Sequence, residues 1–145
     1  MNNYTYYIGI DCGVKTGLCV WEKSEKNIKQ LVTLPIHKAM NEVAYWNRFA
    51  PGHVFVRIED ARQRKWVPWQ KNQKAEMGKR EGAGSVKRDA KIWEDFLTDL
   101  GVPFEMVAPK NNKTKVKAEY FKKLTGFTGN SSEHARDAAM LVFGY

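Results

Sequence analysis

Tyr4-Thr5-Tyr6-Tyr7-Ile8-Gly9-Ile10-Asp11-Cys12-Gly13-Val14-Lys15-Thr16-Gly17 is the stretch that decides the fold. Its first half alternates and is rich in Tyr and Ile, so Tyr4 to Asp11 reads as a strand, and it runs straight into a glycine-bearing turn from Asp11 to Gly17. A second strand follows over Leu18 to Trp21, the polar Glu22 to Asn27 is a hairpin connection, and Ile28 to Pro35 is a third strand that completes a meander. An acidic side chain therefore stands at the end of the first strand, beside a turn where the backbone is free to approach a ligand.

Outward from this hairpin, His37 to Phe49 carries Met40, Val43, Ala44 and Trp46 at helical spacing. His53 to Glu59 has Val54, Val56 and Ile58 on one face, the pattern of a buried strand, and Glu59 closes its C-terminal end. Asp60 to Ala83 shows no sustained apolar period and reads as a long basic loop. Ser85 to Leu100 is a helix with Val86, Ala90, Trp93, Phe96, Leu97 and Leu100 on one side, stopped at Gly101. Val102 to Ala108 is a short fifth strand, Thr114 to Leu124 a short basic helix, and a last helix runs from about Ser131 to Tyr145, with Asn130 and Glu133 spaced as a capping box. The order β-β-β-α-β-α-β-α, a three-strand meander and then two crossover units, predicts an α/β fold: a five-stranded mixed sheet with helices on both faces.

With 145 residues and 43% hydrophobic content, the chain is expected to form one domain over 1–145. No apolar run has the length of a signal or membrane segment, so a cytoplasmic protein with no membrane partner is expected. Cys12 and Cys19 fit no usual zinc spacing and read as buried free thiols.

The net charge of +8 is concentrated. Arg62 to Arg88 carries +7 and Lys110 to Lys123 carries +5, which leaves −4 for the rest of the chain. Two positive segments on a mildly acidic body suit a polyanion. Trp66 and Trp69 are interleaved with Arg62, Arg64, Lys65, Lys71 and Lys74, and Lys79 and Arg80 follow. Indoles beside such cations can stack on bases while the cations hold phosphates, so these residues, with Lys110, Lys113 and Lys115, are the candidate nucleic-acid contacts.

If the first and fourth strands are parallel neighbours, Asp11 and Glu59 emerge at one sheet edge, where open α/β sheets bind ligands. Two carboxylates so placed call for a cation, and their oxygen donors suit Mg²⁺ or Mn²⁺. His134 and Asp137 lie three apart on the last helix and share a face, and Ala138 and Ala139 would let that helix approach the sheet closely.

Ile8-Gly9-Ile10-Asp11-Cys12-Gly13 with Thr16-Gly17 resembles the first motif of the RuvC-type Holliday-junction resolvases, within the ribonuclease H-like superfamily. Val56-Arg57-Ile58-Glu59 is similar to their second acidic strand, and Gly82 to Lys91 to the segment entering their dimer-forming helix. Val107-Ala108-Pro109-Lys110 is similar to their basic strand-end loop, and His134-Ala135-Arg136-Asp137-Ala138-Ala139 to their last motif. Cys12 departs from the commoner Pro, and Arg62 to Arg80 is longer and richer in Trp than the pattern.

The resemblance implies a ribonuclease H-like nuclease that cuts four-way DNA junctions as a homodimer, with two Mg²⁺ ions per site and Mn²⁺ as a substitute. Asp11, Glu59, His134 and Asp137 would be the catalytic and metal-binding residues. It leaves open which of Lys110, Lys113 and Lys115 faces the scissile phosphate. Another branched, flap or RNA-containing substrate, or a non-catalytic nucleic-acid-binding module, are the alternatives. An actin-like ATPase would need a second domain of comparable size. The dimer surface is expected on Ser85 to Leu100, through Trp93, Phe96 and Leu97.

Overall fold

The computed structural model describes residues 3–63, 73–109 and 115–145, with side chains described from residue 84 onward within the long central helix. Three antiparallel strands come first: β1 (Tyr6–Asp11), β2 (Lys15–Glu22) and β3 (Asn27–Pro35). Helix α1 (Ile36–Phe49) leads to β4 (Val54–Glu59), and a single 3-10 turn (Ala61–Gln63) precedes α2 (Gln73–Leu100). Strand β5 (Phe104–Val107) and helices α3 (Ala118–Thr125) and α4 (Glu133–Met140) complete the order.

The sheet order is β3-β2-β1-β4-β5. Strands β1 and β2, and β2 and β3, pair antiparallel, whereas β1 and β4, and β4 and β5, pair parallel. This is the expected mixed sheet. Ile10 lies opposite Ile58, so Asp11 and Glu59 follow at the same end of adjacent parallel strands.

Both faces are covered because the strands present apolar side chains both ways. On one face Ile8, Ile10, Leu18, Val20, Val54, Val56 and Ile58 pack against Ala39 and Val43 of α1 and Ala90, Trp93 and Leu97 of α2. On the other, Tyr7, Cys19 and Trp21 meet Phe121 of α3 and Ala138, Ala139, Leu141 and Val142 at the end of the chain. Cys12 and Cys19 are buried and unbridged. No described helix is long and apolar enough to cross a membrane.

Several expectations change. Lys15 to Gly17, expected within the turn, already belong to β2 and pair with both neighbouring strands. Helix α2 begins at Gln73, within the stretch expected to be loop. Gln73 to Ala83 lacks an apolar period but is rich in Gln, Lys, Ala, Glu and Arg, good helix formers that extend a helix already held by its packed C-terminal half. The cap of α4 is Ser132, whose hydroxyl accepts from the Ala135 amide at 3.1 Å, in place of the Asn130–Glu133 box. The basic helix starts later than expected, with Lys117 as its cap residue, and runs to Thr125, one residue further than expected, before Gly126, at φ +74°, ends it in the left-handed conformation. The helix expected to form a dimer surface buries that surface internally: Trp93 and Leu97 are fully enclosed in the chain's own core, and Phe96 packs on it partly buried.

Candidate active site

The C-terminal edge of β1 and β4 supplies Asp11 and Glu59, and α4 lies across β1 and β2 beside them. What lets α4 come so close is the absence of a side chain at two strand positions. A β-carbon built on Gly9 would stand 2.0 Å from the Ala138 carbonyl oxygen, and one on Gly17 would stand 2.0 Å from that of His134. Real β-carbons do not approach backbone oxygens so closely, so both positions require glycine for the helix to lie where it does. Ala135, Ala138 and Ala139 are the helix's buried counterparts. The small residues of Gly9-Ile10-Asp11 and His134-Ala135-Arg136-Asp137-Ala138-Ala139 are thus two halves of one contact.

That contact delivers His134 to Asp11: the imidazole Nδ1 donates to Asp11 Oδ2 at 3.0 Å. Asp11 is largely buried and His134 half exposed, so the pair sits at the mouth of the site. Burial pushes the Asp11 carboxyl above its ordinary range. The His134 hydrogen bond works against that rise, and the negative charges of Asp137 and Glu59 add to it. Three of the four residues singled out in the sequence, His134, Asp137 and Glu59, therefore act on the fourth, Asp11.

This donor set fits a hard divalent cation, because a largely buried carboxylate beside other acids is relieved by positive charge, and carboxylate oxygens suit such an ion. Among the described residues, no set of three or more such side chains is already drawn to direct ligating distance. Asp11, Glu59 and Asp137, with His134, are the residues that would hold the ions.

The second basic segment reaches the same edge. Lys115 is ion-paired with Glu133, in the first turn of α4. Its ammonium is held in the charged form first by the hydrogen bond to Glu133, then by the charges of Glu133, Asp137 and Asp11. Lys110 and Lys113 lie outside the described residues.

Of the first basic segment, Arg62 is engaged within the fold. Its Nε donates to Asp60 Oδ1 at 2.7 Å, and its Nη2 donates to Asp60 Oδ2 at 3.0 Å and to Glu94 Oε2 at 3.1 Å. Burial of Asp60 would raise its carboxyl, but hydrogen bonds from Arg62 and Gln63 overcome this and hold it below the ordinary range. Arg62 is thus a strut between the end of β4 and α2. Arg64, Lys65, Trp66, Trp69 and Lys71 lie outside the described residues, and so do the side chains of Lys74, Lys79 and Arg80.

Three features of the site are not among the residues that the sequence singles out. Gly9, a glycine in the middle of a buried strand, carries a sequence signal of its own, because such a glycine marks close backbone approach. Arg136 tethers two loops across space, which spacing does not reveal. Asp89, buried on α2, raises the proton affinity of Cys12 together with Asp11, Asp60 and Glu59, after the larger effect of burial.

The fold is similar to that of a solved structure, T. thermophilus RuvC in complex with a Holliday junction substrate. The two match with a TM-score of 0.61 over 94% of this chain and 89% of that one, at 15% sequence identity. The shared feature is the fold, an α/β ribonuclease H-like sheet with its helices. A scan against protein-family models finds no match, and a search of curated protein sequences finds none either.

Proposed function

We propose that this chain is a metal-dependent, structure-selective endodeoxyribonuclease that resolves four-way DNA junctions. The observation that carries the proposal is the hydrogen bond between His134 and Asp11 at the end of β1, where Glu59 closes the adjacent parallel strand. The likeness in fold to a protein bound to a Holliday junction directs the choice of substrate.

In this proposal Asp11, Glu59 and Asp137 hold two Mg²⁺ ions, for which Mn²⁺ substitutes, and His134 is a further ligand or orients the attacking water. When bound, the ions supply Lewis-acid stabilisation of the phosphate and of the leaving 3′ oxygen. Asp11 is the central acid because its carboxyl feels the other three residues. His134, donating to Asp11, fixes which oxygen of that carboxylate remains free for a ligand. Lys115 stands ready to neutralise charge on the phosphate as it becomes pentacovalent. Lys110 and Lys113 are the other candidates for that role. The segment from Arg64 to Arg80 holds the flanking duplex through its cations, with Trp66 and Trp69 stacking on bases where strands part.

Two symmetric cuts in a four-way junction call for two sites related by a two-fold axis, so the active species is a homodimer of this nuclease domain.

The test is cleavage of a synthetic four-way junction, a flap, a fork, an RNA–DNA hybrid and a linear duplex, each with Mg²⁺ and with a chelator. Metal-dependent paired nicks on the junction in preference to the other substrates support the proposal. Preferred cutting of a flap or hybrid moves the substrate, and binding without cutting on any substrate refutes a nuclease.

A further inference from the structure

We propose that Arg136 is a positioning residue that clamps the segment carrying Lys115 onto the catalytic helix. The inference rests on the nuclease reading for its consequence in catalysis, and on geometry for the clamp itself.

Arg136 lies on α4 between His134 and Asp137, but its hydrogen bonds go to Val116 and Ser131, outside the helix. Its Nε donates to the Val116 carbonyl at 2.8 Å. Its Nη1 donates to the Ser131 carbonyl at 2.6 Å and to the Ser131 hydroxyl at 3.1 Å. One guanidinium thereby joins three pieces of chain: the catalytic helix, the loop that enters it, and the irregular stretch Lys115–Lys117 that enters α3. Both carbonyls belong to residues outside helix and sheet, and the planar fork of an arginine holds the two at a fixed separation and angle, which the point charge of a lysine does not.

The stretch needs such a clamp. Lys115 and Lys117 are both exposed, and Val116 contributes only a partly buried side chain to the second core. The pairing of Lys115 with Glu133 is also exposed, with side chains 66% and 49% accessible, and pairs of that kind hold position weakly. Anchored one residue away through the Val116 carbonyl, the Lys115 ammonium has a short arc to sweep, and that arc includes Glu133 and the neighbourhood of Asp137 and Asp11. Glu133 then serves as a resting partner that gives up the ammonium when a phosphate arrives. Arg136 fixes the backbone and Lys115 meets the substrate.

The experiment combines activity with hydrogen exchange on the full chain. Arg136→Gln, which keeps the stem and loses the fork, is made alone and with Lys115→Ala; Arg136→Lys is made alongside. Expected are a fall in kcat of about tenfold or more for Arg136→Gln on the junction with Mg²⁺, little change in KM, no rescue by Arg136→Lys, and faster amide exchange at the start of α3, read at Phe121, whose amide donates to the Lys117 carbonyl. In the Lys115→Ala background, Arg136→Gln should cost less than about a further twofold, because its effect has already been removed. Full additivity of the two changes, unchanged kcat, or rescue by Arg136→Lys would overturn the positioning role. If the unaltered protein cuts nothing, the nuclease reading is what has failed, and exchange alone decides the clamp: unchanged protection of the Phe121 amide in Arg136→Gln refutes it.

Discussion

Gly17 and His134 are in backbone contact: a β-carbon on the glycine would stand 2.0 Å from the histidine's carbonyl oxygen and 2.4 Å from its carbonyl carbon. Strand β2 therefore sets how near the helix, and with it His134 and Asp137, can come to Asp11. Gly17→Ala cannot be accommodated by a rotamer change, since the obstruction is main chain, so α4 must move outward. A loss of roughly 1–3 kcal/mol in stability is expected from such overpacking. Cleavage should fall much further than stability does, because a displacement of about 1 Å in a catalytic group costs on the order of a hundredfold in rate. Chemical denaturation and junction cleavage on the same preparation check both; a variant with wild-type cleavage would mean that the seating of α4 does not govern the site.

Arg62 is the basic-segment residue whose engagement within the fold is plain. Removing it leaves Asp60, only 3% accessible, with a carboxylate deprived of its cation. With Arg62 itself about a third exposed, Arg62→Ala should cost roughly 1–3 kcal/mol, visible as a lowered melting temperature. The salt dependence of DNA binding should be unchanged, whereas removal of a cation that holds a phosphate would lower the slope by about one unit. A lower slope at an unchanged melting temperature would return Arg62 to the DNA surface.

Much of this could be read from residue order. The alternation of Val54, Val56 and Ile58 marked β4 as buried on one face, and all three are buried. Asp11 and Glu59 could be placed at strand ends because a turn and a basic stretch follow them. Helix α2 could not be bounded, because amphipathic periodicity reports packing, and Gln73 to Ala83 lacks that period while still favouring helix. Nor could an apolar helix face be assigned to its partner: Trp93, Phe96 and Leu97 have the same pattern whether they cover a sheet or a second subunit. The Arg136 clamp depends on two backbone carbonyls 5 and 20 residues away, and side-chain identity carries no trace of those.

The burial of Trp93 bears on the dimer. Trp93→Ala should destabilise the fold by about 3–5 kcal/mol, the range for emptying a core aromatic site, without selectively weakening association. Sedimentation of the unaltered protein at micromolar concentration, with and without junction DNA, checks the dimer itself. A monomer under both conditions would contradict it, and dissociation of a folded Trp93→Ala dimer would restore this helix face as the interface.

Trp66 and Trp69 carry the proposal for structure preference. Replacing both with Ala should cost discrimination between branched and linear DNA, since stacking is worth about 1–3 kcal/mol per base. Competition binding reads the ratio and a thermal melt separates the alternatives: a stable double variant that keeps the wild-type preference removes the two indoles from substrate choice, and a large fall in melting temperature assigns them to the core.

The most direct measurement is cleavage of a four-way junction by Asp11→Asn in saturating Mg²⁺, with binding of the same junction followed in parallel. The substitution keeps the side chain's size and its capacity to bond His134 while removing the charge that would hold the cations. The account predicts loss of both nicks with junction affinity largely retained, and the same outcome for Glu59→Gln and Asp137→Asn. Undiminished cutting by Asp11→Asn would contradict it.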